Sequence, residues 1–101
     1  MILYSENITM AKPIIEIEYC TKCRWLARAS WMAQELLSTF SNEIRGITLI
    51  PSNVAGIFEI RCGREIIWER CKKNGMPEIK TLKQKVRDII APDKDLGHID
   101  G

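Results

Sequence analysis

No stretch of this chain is apolar for long enough to cross a bilayer. Its first ten residues lack the basic end and the long apolar segment of a secretory signal, so the cytoplasm is the expected compartment. Neither sign of charge dominates. Fifteen Lys and Arg stand against 13 Asp and Glu, for a net charge of +2. That balance is too even to argue for nucleic acid or an anionic membrane as the partner. Histidine is nearly absent: His98 is the single one, and it falls near the C-terminal end, which disfavours a Cys–His catalytic arrangement. The chain has no phosphate-binding glycine loop, no serine-nucleophile motif and no carboxylate pair of diagnostic spacing. What remains is ordinary globular composition, 46% hydrophobic and 28% charged over 101 residues, enough for one modest core.

Cysteine is present: Cys20, Cys23, Cys62 and Cys71. In a compartment where thiols are kept reduced, four cysteines point to catalysis, metal binding or plain burial, not to a structural disulfide framework. Their positions depend on the elements around them. Ile14 to Tyr19 is rich in β-branched residues and reads as a strand. From Lys22 the period changes. Trp25, Ala29, Met32, Ala33, Leu36, Leu37 and Phe40 recur at three- and four-residue spacing, which predicts a helix from Lys22 to about Phe40. Ile47 to Ile50 reads as a second strand ended by Pro51, and residues 51–56 as a loop. Ile57–Arg61 and Glu65–Glu69 read as strands joined in a hairpin through Cys62-Gly63-Arg64. A last helix opens near Gly75-Met76-Pro77-Glu78, buries Ile79, Leu82, Val86, Ile89 and Ile90, and ends at Ala91-Pro92. Its basic residues, Lys80, Lys83, Lys85 and Arg87, alternate with Glu78 and Asp88 and read as a solvated face. Residues 1–12 are expected to form a mobile extension, 13–92 one domain, and 93–101 a polar tail.

The order β-α-β-β-β-α defines an α/β domain with a small mixed four-stranded sheet and two helices. Its first three elements form a βαβ crossover, which requires parallel pairing. With Cys-x-x-Cys between the first strand and the first helix, this is the thioredoxin-like plan. The place of the motif carries the chemical argument. A thiol reacts as its thiolate, and the unpaired N–H groups and positive dipole end at a helix start favour an anion. The spacing sets Cys20-Thr21-Lys22-Cys23 across that start, with Lys22 adding positive charge. Two intervening residues let the sulfurs meet, so that one attacks a disulfide and the other resolves the mixed disulfide. No metal or cofactor is called for. Two other readings stand beside this one: a zinc site drawn from the four cysteines, and a redox sensor without turnover. Trp31 lies off the apolar stripe and is the candidate for an exposed contact aromatic. Trp25 and Trp68 read as core or core-edge residues.

Ile17-Glu18-Tyr19-Cys20-Thr21-Lys22-Cys23-Arg24-Trp25, Ala33-Gln34-Glu35-Leu36-Leu37 and Gly56-Ile57-Phe58-Glu59-Ile60 together resemble the selenoprotein W/T/H (Rdx) family, in its cysteine-only bacterial branch. The resemblance runs from about Ile14 to Pro92 and includes Gly63 to Trp68 and Gly75 to Glu78. It implies a thioredoxin-like fold and a thiol–disulfide oxidoreductase, sometimes glutathione-linked, whose partners are protein thiols and disulfides or glutathione. In the selenocysteine-containing relatives, selenocysteine takes the place of Cys23, whereas in thioredoxin the first cysteine attacks. Both Cys20 and Cys23 therefore stand as candidates, the helix-end argument leaning to Cys20. By analogy with the strand facing the motif in this architecture, Phe58 and the Gly56 loop line the approach. Thioredoxin sets a cis-proline before that strand, but here Val54-Ala55-Gly56 precedes it and Pro51 is too early, so a differently built groove is expected.

Overall fold

The computed structural model describes residues 12–71 and 73–97. All of the expected mobile extension but Lys12, together with His98 and the last three residues, lies outside the described residues. Six elements follow one another: β1 (Ile14–Cys20), α1 (Leu26–Thr39), β2 (Gly46–Ser52), β3 (Phe58–Cys62), β4 (Glu65–Glu69) and α2 (Ile79–Ile90). The sheet order is β2-β1-β3-β4, with β1 parallel to β2 and the other two pairs antiparallel. This is the α/β arrangement the sequence predicts. No helix among the described residues is long and apolar enough to cross a membrane.

Period-two alternation explains the sheet. Ile15, Ile17 and Tyr19 of β1 sit opposite Cys62, Ile60 and Phe58 of β3, and these side chains share one face. Both helices cover that face. Ala29, Met32, Ala33, Leu36 and Phe40 of the first helical segment and Leu82 and Val86 of α2 join the strands in one buried cluster. The first helix packs against β1 and β2, and α2 packs against β4 and α1. Leu37 and Ile89, placed on the apolar stripes by spacing, are instead exposed at the stripe margins. Lys83 departs the other way. It is only 8% exposed, because its stem lies between the helices and its Nζ donates to Glu35 Oε1 at 3.0 Å.

The second strand runs through Pro51 to Ser52 where composition ended it at Pro51. The Ser52 carbonyl accepts from the Thr21 N–H at 3.2 Å, so even-numbered β2 residues aim their backbone groups at β1. Ile47, Leu49 and Pro51 therefore aim theirs away from the sheet, and the donor that proline lacks falls on the open edge, where its absence leaves the ladder intact. At the other end of the sheet, Gly63 and Arg64 make a two-residue hairpin with Gly63 at φ +61°, the conformation that position needs for strands of native twist. Between Ile60–Trp68 and Arg61–Ile66 the register shifts, leaving Ile67 as a bulge residue that is still buried.

The sheet face away from the helices carries charge. Arg61 there donates to Glu16 (3.3 Å), Glu18 (3.0 Å) and Glu59 (2.6 Å), and these partners hold its guanidinium far above its usual range. One cation thus separates three carboxylates on adjacent strands. Arg61→Met should cost about 1–2 kcal/mol, modest because the side chains stay partly wet. The loss should shrink in 0.5 M salt, which screens the repulsion among the three carboxylates left without their cation. Urea denaturation at low and high salt checks it.

The expected polar tail is tied down in its described part. Leu96 joins the core at 8% exposure, Lys94 pairs with Glu43 at 3.2 Å, and Arg87 donates to the Lys94 carbonyl. One apolar residue in a polar stretch carried too little periodicity to announce this.

Candidate functional site

The site begins where β1 runs out. Cys20 is its last residue, paired with Ser52 of β2, and both are buried. The Cys20 N–H donates to the Ile57 carbonyl at 2.8 Å, which ties the strand end to the turn before β3. One residue on, the Thr21 N–H and its Oγ1 both donate to the Ser52 carbonyl at 3.2 Å. Ser52 Oγ in turn accepts from the Val54 N–H at 3.1 Å. The strand end is therefore held on both sides before the chain turns.

Residues 21–24 form that turn, and the helix does not begin until Leu26. Spacing carried the helix back to Lys22 because Trp25 falls on its apolar stripe. Arg24 stops it, with φ +60° in the left-handed region, which a helix cannot pass through. Trp25 then serves as N-cap without a side-chain hydrogen bond, and the first turn of α1 contains no acidic residue. The result reverses the expected placement. Cys23, not Cys20, is the cysteine nearer the helix start, and it is half-exposed while Cys20 is 1% exposed. Their sulfurs lie at disulfide distance, with the Cα atoms 5.4 Å apart, well within the range a disulfide spans.

Trp25 covers the inner side of the turn. Its ring meets Phe58 edge-on at 5.9 Å, and the Arg70 guanidinium lies 4.9 Å from its centroid. Arg70 is brought there by its own N–H, which donates to the Phe58 carbonyl at 2.9 Å. Phe58 is 1% exposed, so it does not line an approach to the pair; it packs beneath Trp25 instead, and its expected substrate contact is corrected. Gly56 belongs to the turn whose Ile57 carbonyl binds Cys20, and it takes φ +76° with open space where a Cβ would stand. Glycine is favoured there by backbone conformation and not by close packing. Lys22 is exposed within the turn. Trp31 is 46% exposed on α1, about 8 Å along the axis from Leu26, and its side chain takes no part in the hydrogen bonds of the turn.

The other two cysteines stand apart. Cys62 pairs with Ile15, five residues back along β1 from Cys20, or about 16 Å at strand rise. A four-cysteine zinc centre at the motif is therefore not assembled, and no group of three His, Cys, Asp or Glu that would hold a metal occurs among the described residues. Burial, with Glu65 nearby, pushes the Cys62 thiol up, whereas Cys71 is exposed. With the Cys20–Cys23 pair oxidised, iodoacetamide at neutral pH should modify Cys71 before Cys62 by about tenfold or more, read by peptide mass mapping.

Sequence reasoning missed Arg70, Ser52 and the Thr21 hydroxyl. The first is brought in by β3–β4 pairing across twelve residues and has no local signal. Ser52 was hidden by Pro51, which removed it from the strand.

A cysteine pair at disulfide distance, after the first strand and before the first helix of a four-stranded mixed sheet, defines a thioredoxin-like domain with a redox role. Residues 14–88 match the Rdx family, and the chain belongs to it. A selenoprotein W-related protein from Vibrio cholerae is similar at 52% identity, with a TM-score of 0.72 over 76% of this chain and 95% of that one. A protein from Bordetella parapertussis is similar at 49% identity, with a TM-score of 0.72 over 76% of this chain and 96% of that one. No curated protein matches the chain.

Proposed function

We propose that this protein is a thiol–disulfide oxidoreductase in which Cys23 attacks and Cys20 resolves. The observation that carries the reading is the unequal setting of two sulfurs within bonding distance: Cys23 half-exposed before an uncapped helix start, Cys20 buried behind it. The unpaired N–H groups of the first turn of α1 favour a thiolate at Cys23 over one at Cys20. Exposed Lys22 adds to the same field, within the limits that salt sets.

In the reducing direction, the Cys23 thiolate attacks one sulfur of a substrate disulfide. The S–S bond breaks, a mixed disulfide forms, and the other substrate sulfur leaves as a thiol. Cys20 then attacks Cys23, closing the intramolecular disulfide and releasing the second thiol. Two electrons pass from the pair to the substrate, and the two protons of the Cys20 and Cys23 thiols end on its sulfurs. A dithiol or two molecules of glutathione restore the pair. The substrates on this reading are protein disulfides or glutathione disulfide, and the reducing cytoplasm suits such a cycle.

The test is a redox titration of the purified protein in glutathione buffers, with alkylation and peptide mapping at each point. Reversible closure of Cys20–Cys23 between roughly −200 and −300 mV is expected. A pair that stays unlinked through that range would remove the proposal. The exposed Trp31 favours a second reading, a sensor whose partner reads the state of the pair. Redox-dependent partner capture by a protein that turns over no disulfide would support it.

A further inference from the structure

The segment that bears the pair is charged with one sign. From residue 19 to residue 34 the chain has three cations, Lys22, Arg24 and Arg28, and no Asp or Glu. All three are exposed. Arg28 lies in the first turn of α1, where a carboxylate would be stabilising and a cation opposes the helix dipole. A local preference broken at a functional site, with no structural partner to explain it among the described residues, points to a use outside the fold. On the opposite flank, residues 50–58 carry no charge. Arg70 completes the arrangement. It is exposed at the surface, yet its guanidinium is placed over Trp25, two residues beyond Cys23, and its backbone is fixed to Phe58. The neighbouring carboxylates do not offset this charge. Glu18 and Glu59 project from the other face of the sheet and are both bound to Arg61, and Glu69 sits opposite Glu59 on that same face.

We infer that Arg70, with Lys22, Arg24 and Arg28, makes the rim of the Cys20–Cys23 turn select polypeptide disulfides flanked by acidic residues. Arg70 is the specificity-determining member, since the Trp25 face and the Phe58 hydrogen bond hold it beside the turn at little further entropic cost. Acidic flanks would be drawn to the rim, which raises the encounter rate, while basic flanks would be repelled. The inference rests on the oxidoreductase reading.

Two peptide disulfides of equal length test it, one flanked by glutamates and one by lysines. The full chain is reduced with dithiothreitol, freed of it, and mixed with each peptide in a single turnover. The pair's sulfurs close to a disulfide as the peptide's S–S bond opens to two thiols, and acid quench with alkylation counts them. At low ionic strength the acidic peptide should react about tenfold faster, and the ratio should fall toward one in 0.5 M salt. Arg70→Gln should lower the ratio about threefold or more, and Arg70→Glu should abolish or invert it. Arg64→Glu makes the same charge reversal in the hairpin at the far end of the sheet and should leave the ratio within about twofold. If Arg70→Glu misfolds by circular dichroism, the Arg70→Gln and salt measurements decide. Equal rates for the two peptides would overturn the inference while leaving the oxidoreductase reading in place. A wild-type preference that Arg70→Gln does not alter would overturn the role given to Arg70. Reduction of neither peptide, under conditions where dithiothreitol reduces both, would remove the oxidoreductase reading and this inference with it.

Discussion

Cys23→Ser should lose disulfide turnover by about a thousandfold or more, because the serine hydroxyl is not ionised at neutral pH. Cys20→Ser should lose turnover to a similar extent but fail differently. Its Cys23 can still attack, and without a resolving sulfur the reaction stops at the mixed disulfide, which intact-mass measurement detects as an adduct on Cys23. The asymmetry is the informative part. Cys20 is the last residue of β1, 1% exposed, with its N–H committed to Ile57, so an incoming disulfide meets Cys23 first. Trapping on Cys20 in the Cys23→Ser variant, with none on Cys23 in its counterpart, would reverse the assigned roles. Full activity of both serine variants would end the mechanism altogether.

Phe58→Ala should destabilise the fold by about 3–5 kcal/mol, a large part of the stability of a domain this size. Phe58 is among the largest fully buried side chains. It packs beside Tyr19 across the β1–β3 register and supports the edge of Trp25. Its loss opens a cavity under the motif turn, so the guanidinium midpoint should drop and the Trp25 environment should change in the near-ultraviolet spectrum. A cost below 1 kcal/mol would mean that the site collapses onto the space, and the support described for Trp25 would then be unnecessary. Phe58→Leu, which keeps most of the volume, should recover the larger share of the loss.

Most of the fold was legible because its signals are local. The β-branched run Ile14–Tyr19, three-and-four spacing in Ala29–Phe40 and Gly63 between two apolar runs each named an element, and their order called for a small mixed four-stranded sheet, though not for β1 beside β3. The reading failed where a boundary depends on direction. Pro51 marks a strand end unless its missing donor points outward, and that is known only once β2 lies at the edge. Trp25 extends a helical stripe unless the residue before it turns left-handed, and nothing about an arginine announces φ +60°. At the site, the cysteine pair was visible from its place between strand and helix. Which cysteine faces solvent was not, because the three residues of turn between Thr21 and the N-cap move the helix start past Cys23. Phe58 and Lys83 show one further limit. A strand opposite a motif suggested a substrate contact, and a run of lysines suggested a solvated face. Packing decided both the other way, since burial depends on what a second element lays over a residue.

The outward-facing proline of β2 also bears on how the molecule behaves at high concentration. A visiting strand that sought to lengthen the sheet would find two outward donors, at Ile47 and Leu49, and then a gap at Pro51. Two donors give little grip, so sheet extension from copy to copy stalls there. Pro51→Thr would supply the third donor on a strand already rich in β-branched and aliphatic residues, without disturbing any bond to β1. The natural residue therefore leaves that edge one donor short while keeping the strand's own pairing complete.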